Sequence, residues 1–298
     1  MSGKLRLYKD KLEGYKKFYS IIKTIKMVTM AKFKQAQTRV KTRDSTLRYT
    51  EKAFSAPYTE STAVANAQGP LVYIPFTTNR GSCGALNSNT LKYIESILSK
   101  NTLLLPIGKK GNDSMSKLFP KEFKLSIIND MKQPMHFAFA TFVWENALAV
   151  AEAERYQVVF NRFISAGVQR QGVYNIPSFQ KWLDDLNAAA STDAQKQRYS
   201  FANAVLNNDE EIIRDFYDFH SSLAILNAAG ENELSEQAAR LVAVEGQLTN
   251  IMSLQQRTLY LYNKTRQGSI TASLIEILSA MSSLESNAAK GVKRDKFW

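Results

Sequence analysis

The sequence predicts an α/β domain inserted between two long terminal helices that wind into an antiparallel coiled coil. The first observation is that both ends of the chain are proline-free and carry apolar residues at steps of three and four. The second is that the segment between them alternates short apolar runs with glycine turns and helical patterns. Steps of three and four keep one narrow seam of a helix facing a partner. We therefore expect a small, mostly parallel sheet domain carried between paired helices.

The C-terminal helix is the longest predicted element. Residues 233–284 contain no proline and only two glycines, and at 1.5 Å per residue they would form a rod of about 75 Å. A helix of that length needs a partner, and we assign residues 209–285 to it in full. The predicted seam consists of Leu234, Ala238, Leu241, Leu248, Met252, Leu259 and Tyr262.

The N-terminal helix supplies the partner and is predicted over residues 1–56, because the first proline is Pro57. Lys and Gln, both good helix formers, fill its solvent positions. The alternative is that the two helices pack separately on a globular core, which narrow stripes do not favour. The predicted N-terminal stripe consists of Tyr15, Phe18, Ile22, Ile25 and Val28, followed after a break at Thr29 by Phe33, Ala36 and Val40.

The α/β domain is predicted over residues 57–208. Short apolar runs bounded by turn residues indicate strands, and helical patterns lie between them, in the order βαβαβαβ. The strands are expected at 71–76, 102–107, 123–128 and 157–166, and helices at 88–98, after Gly108, at 137–156, from about Phe179 and again from Asp209.

Composition excludes several classes of protein. The 298 residues suffice for one compact domain plus an elongated element, and no apolar run reaches the roughly 18 residues of a membrane span. Cys83 is the only cysteine and there are two histidines, which are too few for a structural zinc site and rule out an internal disulfide.

Positive charge is concentrated at the N-terminus. Residues 1–52 hold fifteen Lys and Arg against four Asp and Glu, whereas the remaining residues hold twenty-four against twenty-three. Such a helix can simply be a solvated face, but the concentration favours an acidic partner. One alternative is therefore a nucleic-acid-binding protein that uses the basic helix with its interleaved aromatic residues Tyr8, Tyr15, Phe18 and Tyr19.

A glycine turn follows the first predicted strand and could cradle a phosphate. Its sequence, Gly81-Ser82-Cys83-Gly84, lacks the spacing of a dinucleotide fingerprint and the Gly-Lys-Ser/Thr ending of a P-loop. Cys83 as a nucleophile would need a nearby base, and neither histidine lies in a recognisable motif. A phosphate-binding enzyme built on this turn is thus the weakest of the alternatives.

Several sequence blocks resemble the γ subunit of F-type ATP synthase. They lie in the family's order and run from the first helix to Leu284. The blocks are residues 25–32 (IKMVTMAK), 79–87 (NRGSCGALN), 160–163 (FNRF), 235–240 (SEQAAR), 262–267 (YNKTRQ), 270–271 (IT) and 274–277 (LIEI).

The resemblance implies a non-catalytic rotor shaft that turns inside the α3β3 hexamer and transmits torque between it and the membrane ring, setting the three β subunits in different conformations. It implies as partners the α and β subunits, the δ and/or ε central-stalk subunits and the membrane c-ring. No nucleic acid and no cofactor are expected on this chain, since MgATP and MgADP would bind α and β. The expected location is the matrix side of the mitochondrial inner membrane, as a peripheral protein; a bacterial membrane is the alternative.

The resemblance also assigns site residues. Arg266 and Gln267 match a pair that latches a β-subunit loop, for which a forked guanidinium suits a carboxylate better than lysine does. Beyond Tyr262 the apolar phase advances in steps of four, which unwinds a left-handed coiled coil, so the tip is expected as a lone helix in an apolar sleeve. The other expected β contacts are Lys264, Arg80, Lys23, Lys26 and Lys32, and the tip residues are Ile270, Leu274, Ile277, Leu278, Met281 and Leu284.

The chain departs from the family at three places. Ser82 stands where the family usually has leucine, and Thr29 and Met30 replace small alanines. The chain also continues past the apolar run with a basic tail, residues 286–298, that ends in Phe297 and Trp298. The cysteine pair of redox-regulated chloroplast members is missing, which argues against that subgroup.

Overall fold

The computed structural model describes residues 2–48, 69–99, 101–129, 134–189 and 210–291. It divides into two compact units. The first unit joins Met1–Met27 to Val244–Trp298, and the second unit is Val28–Ala243. Within residues 286–298, the predicted basic tail, the chain beyond residue 291 lies outside the described range.

Long terminal helices and a small mixed sheet between them confirm the predicted fold class. The N-terminal helix α1 spans Ser2–Thr42 and the C-terminal helix α6 spans Glu210–Gly291, 82 residues. The elements between them are β1 (Leu71–Pro75), α2 (Leu86–Ile97), β2 (Thr102–Leu104), α3 (Lys109–Leu118), α4 (Phe137–Val150), β3 (Arg155–Ser165), β4 (Val168–Pro177) and α5 (Phe179–Ala189).

The sheet has four strands in the order β2-β1-β3-β4. The strand β1 pairs in parallel with β2 and with β3, whereas β3 and β4 form an antiparallel hairpin. The sequence did not predict β4, because it is an edge strand whose apolar pattern is interrupted by Gln169, Arg170, Gln171 and Asn175. The expected strand at 123–128 consists only of isolated bridges at Phe123 and Ile127, and the helix expected to reach residue 156 ends at Val150.

The second unit covers both faces of its sheet, as parallel strands require. On one face Val72, Ile74 and Val158 pack with Trp144 of α4 and Ile225 of α6. On the other face, Leu71, Tyr73 and Val159 of alternate strand positions pack with Ile94 of α2 and Met115 of α3. The C-terminal helix is therefore part of the core of the α/β unit.

The helices α1 and α6 also pack together in the second unit, and they run antiparallel. In α1, the guanidinium Nη2 of Arg39 lies 2.6 Å from Glu233 Oε1. Just after α1 ends, the carbonyl oxygen of Thr46 accepts a hydrogen bond from Asn227 Nδ2 of α6 at 3.2 Å. Later residues of α1 thus meet earlier residues of α6. This direction agrees with the predicted coiled coil.

In the first unit the predicted seam is wrong in part, since Tyr15, Ile22, Leu248 and Tyr262 lie inward but other members do not. In α1 the side chains of Phe18 and Ile25 are 61% and 44% exposed, and Met252 and Leu259 of α6 are also exposed. The inward positions still alternate steps of three and four but include polar residues. They are Leu5, Tyr8, Leu12, Tyr15, Tyr19, Ile22 and Lys26 in α1, and Val244, Leu248, Ile251, Gln255, Thr258, Tyr262, Thr265, Ser269 and Ala272 in α6.

The seam continues through α1 of the second unit in the same phase. There Thr29 and Ala36 are buried, whereas Val28 is exposed. The predicted stripe was chosen by hydrophobicity and not by helical position. Thr29 was therefore predicted as a break in the stripe, whereas it is a buried seam residue. Across the described helices, none is both long and apolar enough to cross a membrane.

Candidate functional site

The end of α6 is a helix whose side chains face solvent on every side. Residues 273–286 are all exposed, and the apolar residues predicted for the tip have exposed fractions between 55% and 68%. These are Ile270, Leu274, Ile277, Leu278, Met281 and Leu284. A continuous apolar surface of this kind is typical of a segment that another protein covers.

The predicted polar contacts on α6 lie just before this tip. Lys264, Arg266 and Gln267 are all exposed. Among the described residues, no hydrogen bond or ion pair uses these three side chains, while the neighbouring Thr265 hydroxyl donates to the carbonyl oxygen of Leu261 at 2.8 Å. The Arg266 guanidinium can therefore receive a carboxylate from a partner in a forked geometry.

The two predicted lysines that α1 contributes to the first unit, Lys23 and Lys26, behave differently. Lys23 is exposed. Lys26 occupies a seam position, and its ammonium nitrogen lies 2.8 Å from Glu245 Oε1 of α6. Because both members of that pair are substantially exposed, the interaction is worth little. The ammonium group of Lys26 is thus already paired within the helix pair and would have to leave Glu245 to bind a partner.

The remaining two predicted contacts, Lys32 and Arg80, belong to the second unit, so the structure does not bring the whole predicted set into one unit. Both side chains are exposed. Arg80 lies on the turn after β1, where its carbonyl oxygen accepts a hydrogen bond from the Thr78 hydroxyl at 2.7 Å. In the same turn Ser82 has φ +62° and Gly84 has φ +59°, a conformation that is costly for serine.

The crevice at the carboxyl ends of β1 and β2, where an α/β sheet would bind a phosphate, is occupied by the chain itself. The backbone N–H of Lys109 donates to Asn79 Oδ1 at 3.0 Å, that of Lys110 to the Thr78 carbonyl at 3.0 Å, and that of Gly111 to Thr77 Oγ1 at 2.8 Å. These donors would otherwise bind an anion at the N-terminus of α3.

A close backbone approach completes this closure. A Cβ at Gly108, whose φ is +103°, would lie 2.5 Å from the Thr77 carbonyl oxygen, so only glycine fits there. The loop after β1 is held directly against the start of α3. Residues 77–79, which directly precede the predicted glycine turn, therefore cap α3 and use the backbone donors at its start.

Cys83 is buried against Leu86 and Ala239 of α6. Its Sγ accepts a hydrogen bond from Asn87 Nδ2 at 3.3 Å and lies 3.7 Å from Thr78 Oγ1. An amide and a hydroxyl cannot take up the thiol proton as a general base does. Cys83 anchors the turn to the C-terminal helix.

A charged pair to which the sequence analysis assigns no role lies within α6 in the second unit. Glu236 forms an ion pair with Arg240 one turn later, and burial raises the pKa of Glu236 while Arg240 opposes the shift. Both residues belong to the block 235–240 that carried the family resemblance. The sequence therefore shows the block of residues, but it does not show that Glu236 and Arg240 pair in a buried place. Among the described residues no group of three His, Cys, Asp or Glu could hold a metal ion.

Two terminal helices that carry an α/β domain and end in a bare apolar tip define a class of protein: a shaft-like subunit of a larger assembly. The sequence profile of the ATP synthase family matches residues 4–284. The mitochondrial ATP synthase subunit γ of Trypanosoma brucei brucei is 69% identical over 299 residues, covering 100% of this chain and 98% of that protein.

Solved structures agree with this relation. A chain of the Euglena gracilis mitochondrial ATP synthase, in a cryo-EM structure of OSCP, F1 and c-ring in rotational state 3, is 42% identical with a TM-score of 0.88, and each chain is covered in full. A chain from the rotor of the same enzyme has a TM-score of 0.81 and covers 91% of this chain and 100% of its own length. The chain belongs to the γ subunits of ATP synthase.

Proposed function

We propose that the chain is the non-catalytic central rotor shaft of a mitochondrial ATP synthase. It transmits torque between the membrane ring and the α3β3 hexamer, and its rotation imposes different conformations on the three β subunits. The observation that carries the proposal is the bare apolar helix 273–286, in a chain related to a rotor component. A weakly polar helix without directional bonds suits a sleeve in which it turns.

The shaft acts on the β subunits through differential contacts. A rotor can bias a β conformation only if its interaction free energy with that conformation changes with angle. Arg266 and Gln267 offer such a contact because their polar ends are exposed and unused within the described chain. Lys264, Lys23, Lys32 and Arg80 would steer acidic groups of β, with about 0 to 1 kcal/mol for each exposed pair.

The chemistry of ATP belongs to other subunits in this proposal. The donors that could have held a phosphate, at the start of α3, are bonded to Thr77, Thr78 and Asn79. MgATP and MgADP would then bind the α and β subunits, with none on this chain. The partners are α, β, the δ and/or ε central-stalk subunits and the c-ring, and the place is the matrix side of the inner membrane, peripheral to it.

We assign the division of labour along the chain by the predicted ranges. Residues 1–56 and 209–285 would form the shaft, with Tyr217 and Ile225 of α6 also packed on the sheet. Residues 57–208 would form the α/β domain near the membrane ring, and residues 286–298 a basic tail beyond the tip. The alternative of nucleic-acid binding through the basic helix receives no support from the relatives.

Co-purification tests the proposal. The tagged full chain is expected to bring down α and β subunits in assembled ATP synthase. The same purified chain should retain neither MgATP nor single-stranded DNA at moderate salt. Retention of single-stranded DNA without α and β would favour the nucleic-acid alternative, and retention of MgATP by the isolated chain would overturn the non-catalytic assignment.

Arg266 provides a sharper test within the assembled complex. We expect Arg266→Ala to weaken the coupling of hydrolysis to rotation, or the yield of complex, more than Lys23→Ala does, because only arginine supplies the forked contact. The measurement is ATPase rate and rotation rate at matched complex concentration. Equal rates and yields in the wild type and the Arg266 variant would contradict the assigned contact.

A further inference from the structure

The strand β3 is longer than β1, the strand that pairs with it in parallel. Its pairing with β1 ends at Val159, opposite Pro75, and the last bond runs from the Phe76 N–H to the Val159 carbonyl at 2.8 Å. The strand itself continues to Ser165. From Asn161 onward the β1 side of β3 thus faces no strand, and its backbone groups need other partners.

Side chains of α6 take the place of the missing strand. The Asn161 N–H donates to Asn232 Oδ1 at 3.2 Å, and the Ser235 hydroxyl donates to the Asn161 carbonyl at 2.7 Å. One strand position further on that side, the Phe163 N–H donates to Glu231 Oε2 at 3.3 Å. Three residues within about one turn of the helix therefore pair with the open edge of the sheet.

The side chain of Asn161 ties the same point to two further elements. Its Nδ2 donates to Asn232 Oδ1 at 2.9 Å and to Thr90 Oγ1 of α2 at 3.2 Å, and its Oδ1 accepts from Gln171 Nε2 of β4 at 2.8 Å. Asn161 is 2% exposed and Asn232 is 4% exposed. Every polar group of Asn161 is thus bonded in a nearly dry environment, where such a network is most directional.

We propose that this edge lock, formed by Asn161, Asn232 and Ser235, fixes the rotational setting of α6 on the α/β unit and carries torque between them. The apolar contacts between α6 and the sheet are not directional, and each is individually weak. Hydrogen bonds are directional: with a helix radius of about 5 Å including side chains, a rotation of about 20° moves an atom by roughly 2 Å, enough to break each bond.

The inference deepens the proposed function and rests on it, since torque matters only in a rotor. The lock residues are positioning residues: they touch no nucleotide and act through the helix they hold. A purely structural role would lower stability and complex yield alone. A torsional role would lower coupling in complexes that still assemble.

In the test, the complete ATP synthase carries the double variant Asn161→Leu/Asn232→Leu in place of the wild-type chain. We call it the lock variant. The readouts are complex yield, thermal midpoint, and protons pumped per ATP hydrolysed in membrane vesicles. The matched control is Gln157→Leu/Asn175→Leu, which removes a 2.7 Å amide pair between β3 and β4. Like the lock, this is a largely buried pair of amides, and it lies on the β3–β4 hairpin that also carries Asn161. It does not bond α6.

The lock variant is expected to lose at least about threefold in protons pumped per ATP, a range that mutations along a coupling element produce. The control should lose thermal stability and keep the wild-type ratio. Lock-variant complexes that pump like the wild type would overturn the inference, as would an equal loss of the ratio in the control. A wild-type chain that does not assemble or pump would instead defeat the proposed function.

A milder variant decides the case in which the double variant does not assemble. Ser235→Ala removes one bond to the strand edge and leaves the Asn161–Asn232 bonds in place. We expect a smaller loss of the pumping ratio at normal yield, and Ser235→Thr, which keeps the hydroxyl, should restore it. A wild-type ratio in Ser235→Ala complexes would overturn the inference.

Discussion

The same helix, α6, is held in two different ways in the two units. In the first unit its partner α1 contributes a thin seam in which Ile22, Val244 and Ile251 are the buried apolar members, supported by the exposed pair of Lys26 and Glu245. In the second unit it is part of a large core and of buried hydrogen bonds to β3. The protein thus fixes α6 on the sheet with a large core of its own, whereas the helix pair has a thin seam and the tip is exposed. The proposed function assigns the tip to partner subunits.

The largest expected contrast comes from truncating one isoleucine in each unit. Ile225→Ala removes a fully buried side chain and should lower the free energy of unfolding by about 3 kcal/mol. Ile251→Ala empties a thinner site and should lower it by about 1 kcal/mol. Denaturant unfolding of the isolated chain, followed by circular dichroism, measures both. Equal losses would show that the seam is as well packed as the core.

The charged pairs sharpen the same comparison. Glu236→Leu removes the carboxylate that pairs with the mostly buried guanidinium of Arg240, leaves Gln237 Oε1 at 3.1 Å as its acceptor, and should cost about 2 kcal/mol. Lys26→Met breaks the exposed pair with Glu245 and should change stability by less than about 0.5 kcal/mol. Thermal unfolding in low and high salt separates them, because only the exposed pair is screened. A larger effect at Lys26 would reverse the ranking of the two units.

The turn after β1 permits a stabilising substitution in the second unit. Ser82 has φ +62°, so Ser82→Gly should raise the free energy of unfolding by about 0.5 kcal/mol by relieving backbone strain. The reciprocal change Gly84→Ser, at φ +59°, should lower it by about 1 kcal/mol. Paired denaturation curves check the two signs. A destabilised Ser82→Gly chain would mean that the serine side chain does more than tolerate the turn.

The pH dependence of stability adds a further contrast, which comes from His220 on α6 in the second unit. Burial lowers the pKa of His220 from 6.5 to about 4, so the folded chain keeps the ring neutral. The unfolded chain binds the proton first, and stability therefore falls as the pH drops from 6.5 towards 4. Within this window stability should fall by up to about 1.4 kcal/mol for each pH unit, and His220→Phe should remove that slope. Superimposable pH–stability curves for the two chains would refute the assignment.

The fold class could be predicted because helical periodicity and strand–turn–helix order are local in sequence. The seam could not be placed by hydrophobicity alone. Inward positions of the paired helices include Lys26, Thr29 and Thr258, and an ion pair or a small polar residue fits a narrow seam as well as an apolar one does. The edge strand β4 was missed for a related reason: it lies at the margin of the sheet and keeps polar residues.

The candidate site divides along the same line. The bare tip follows from a run of residues that have no complementary partner, and the sequence contains that information. The closure of the phosphate crevice depends on Asn79 and Thr77 meeting the start of α3, some thirty residues away, and no local pattern reveals such a meeting. The role of Asn161 is likewise set by where β1 ends.

Labelling of a thiol at the tip is the most direct test of whether partner subunits enclose the end of α6. Cys83 is the only cysteine and is buried, so a Cys83→Ser chain carrying Leu274→Cys has one reactive thiol. In the isolated chain a maleimide should label it rapidly, since residue 274 is exposed. In the assembled ATP synthase we expect labelling to slow by at least about tenfold, because a buried thiol is shielded from the reagent. Equal labelling rates in the free chain and in the complex would contradict a tip enclosed by partner subunits.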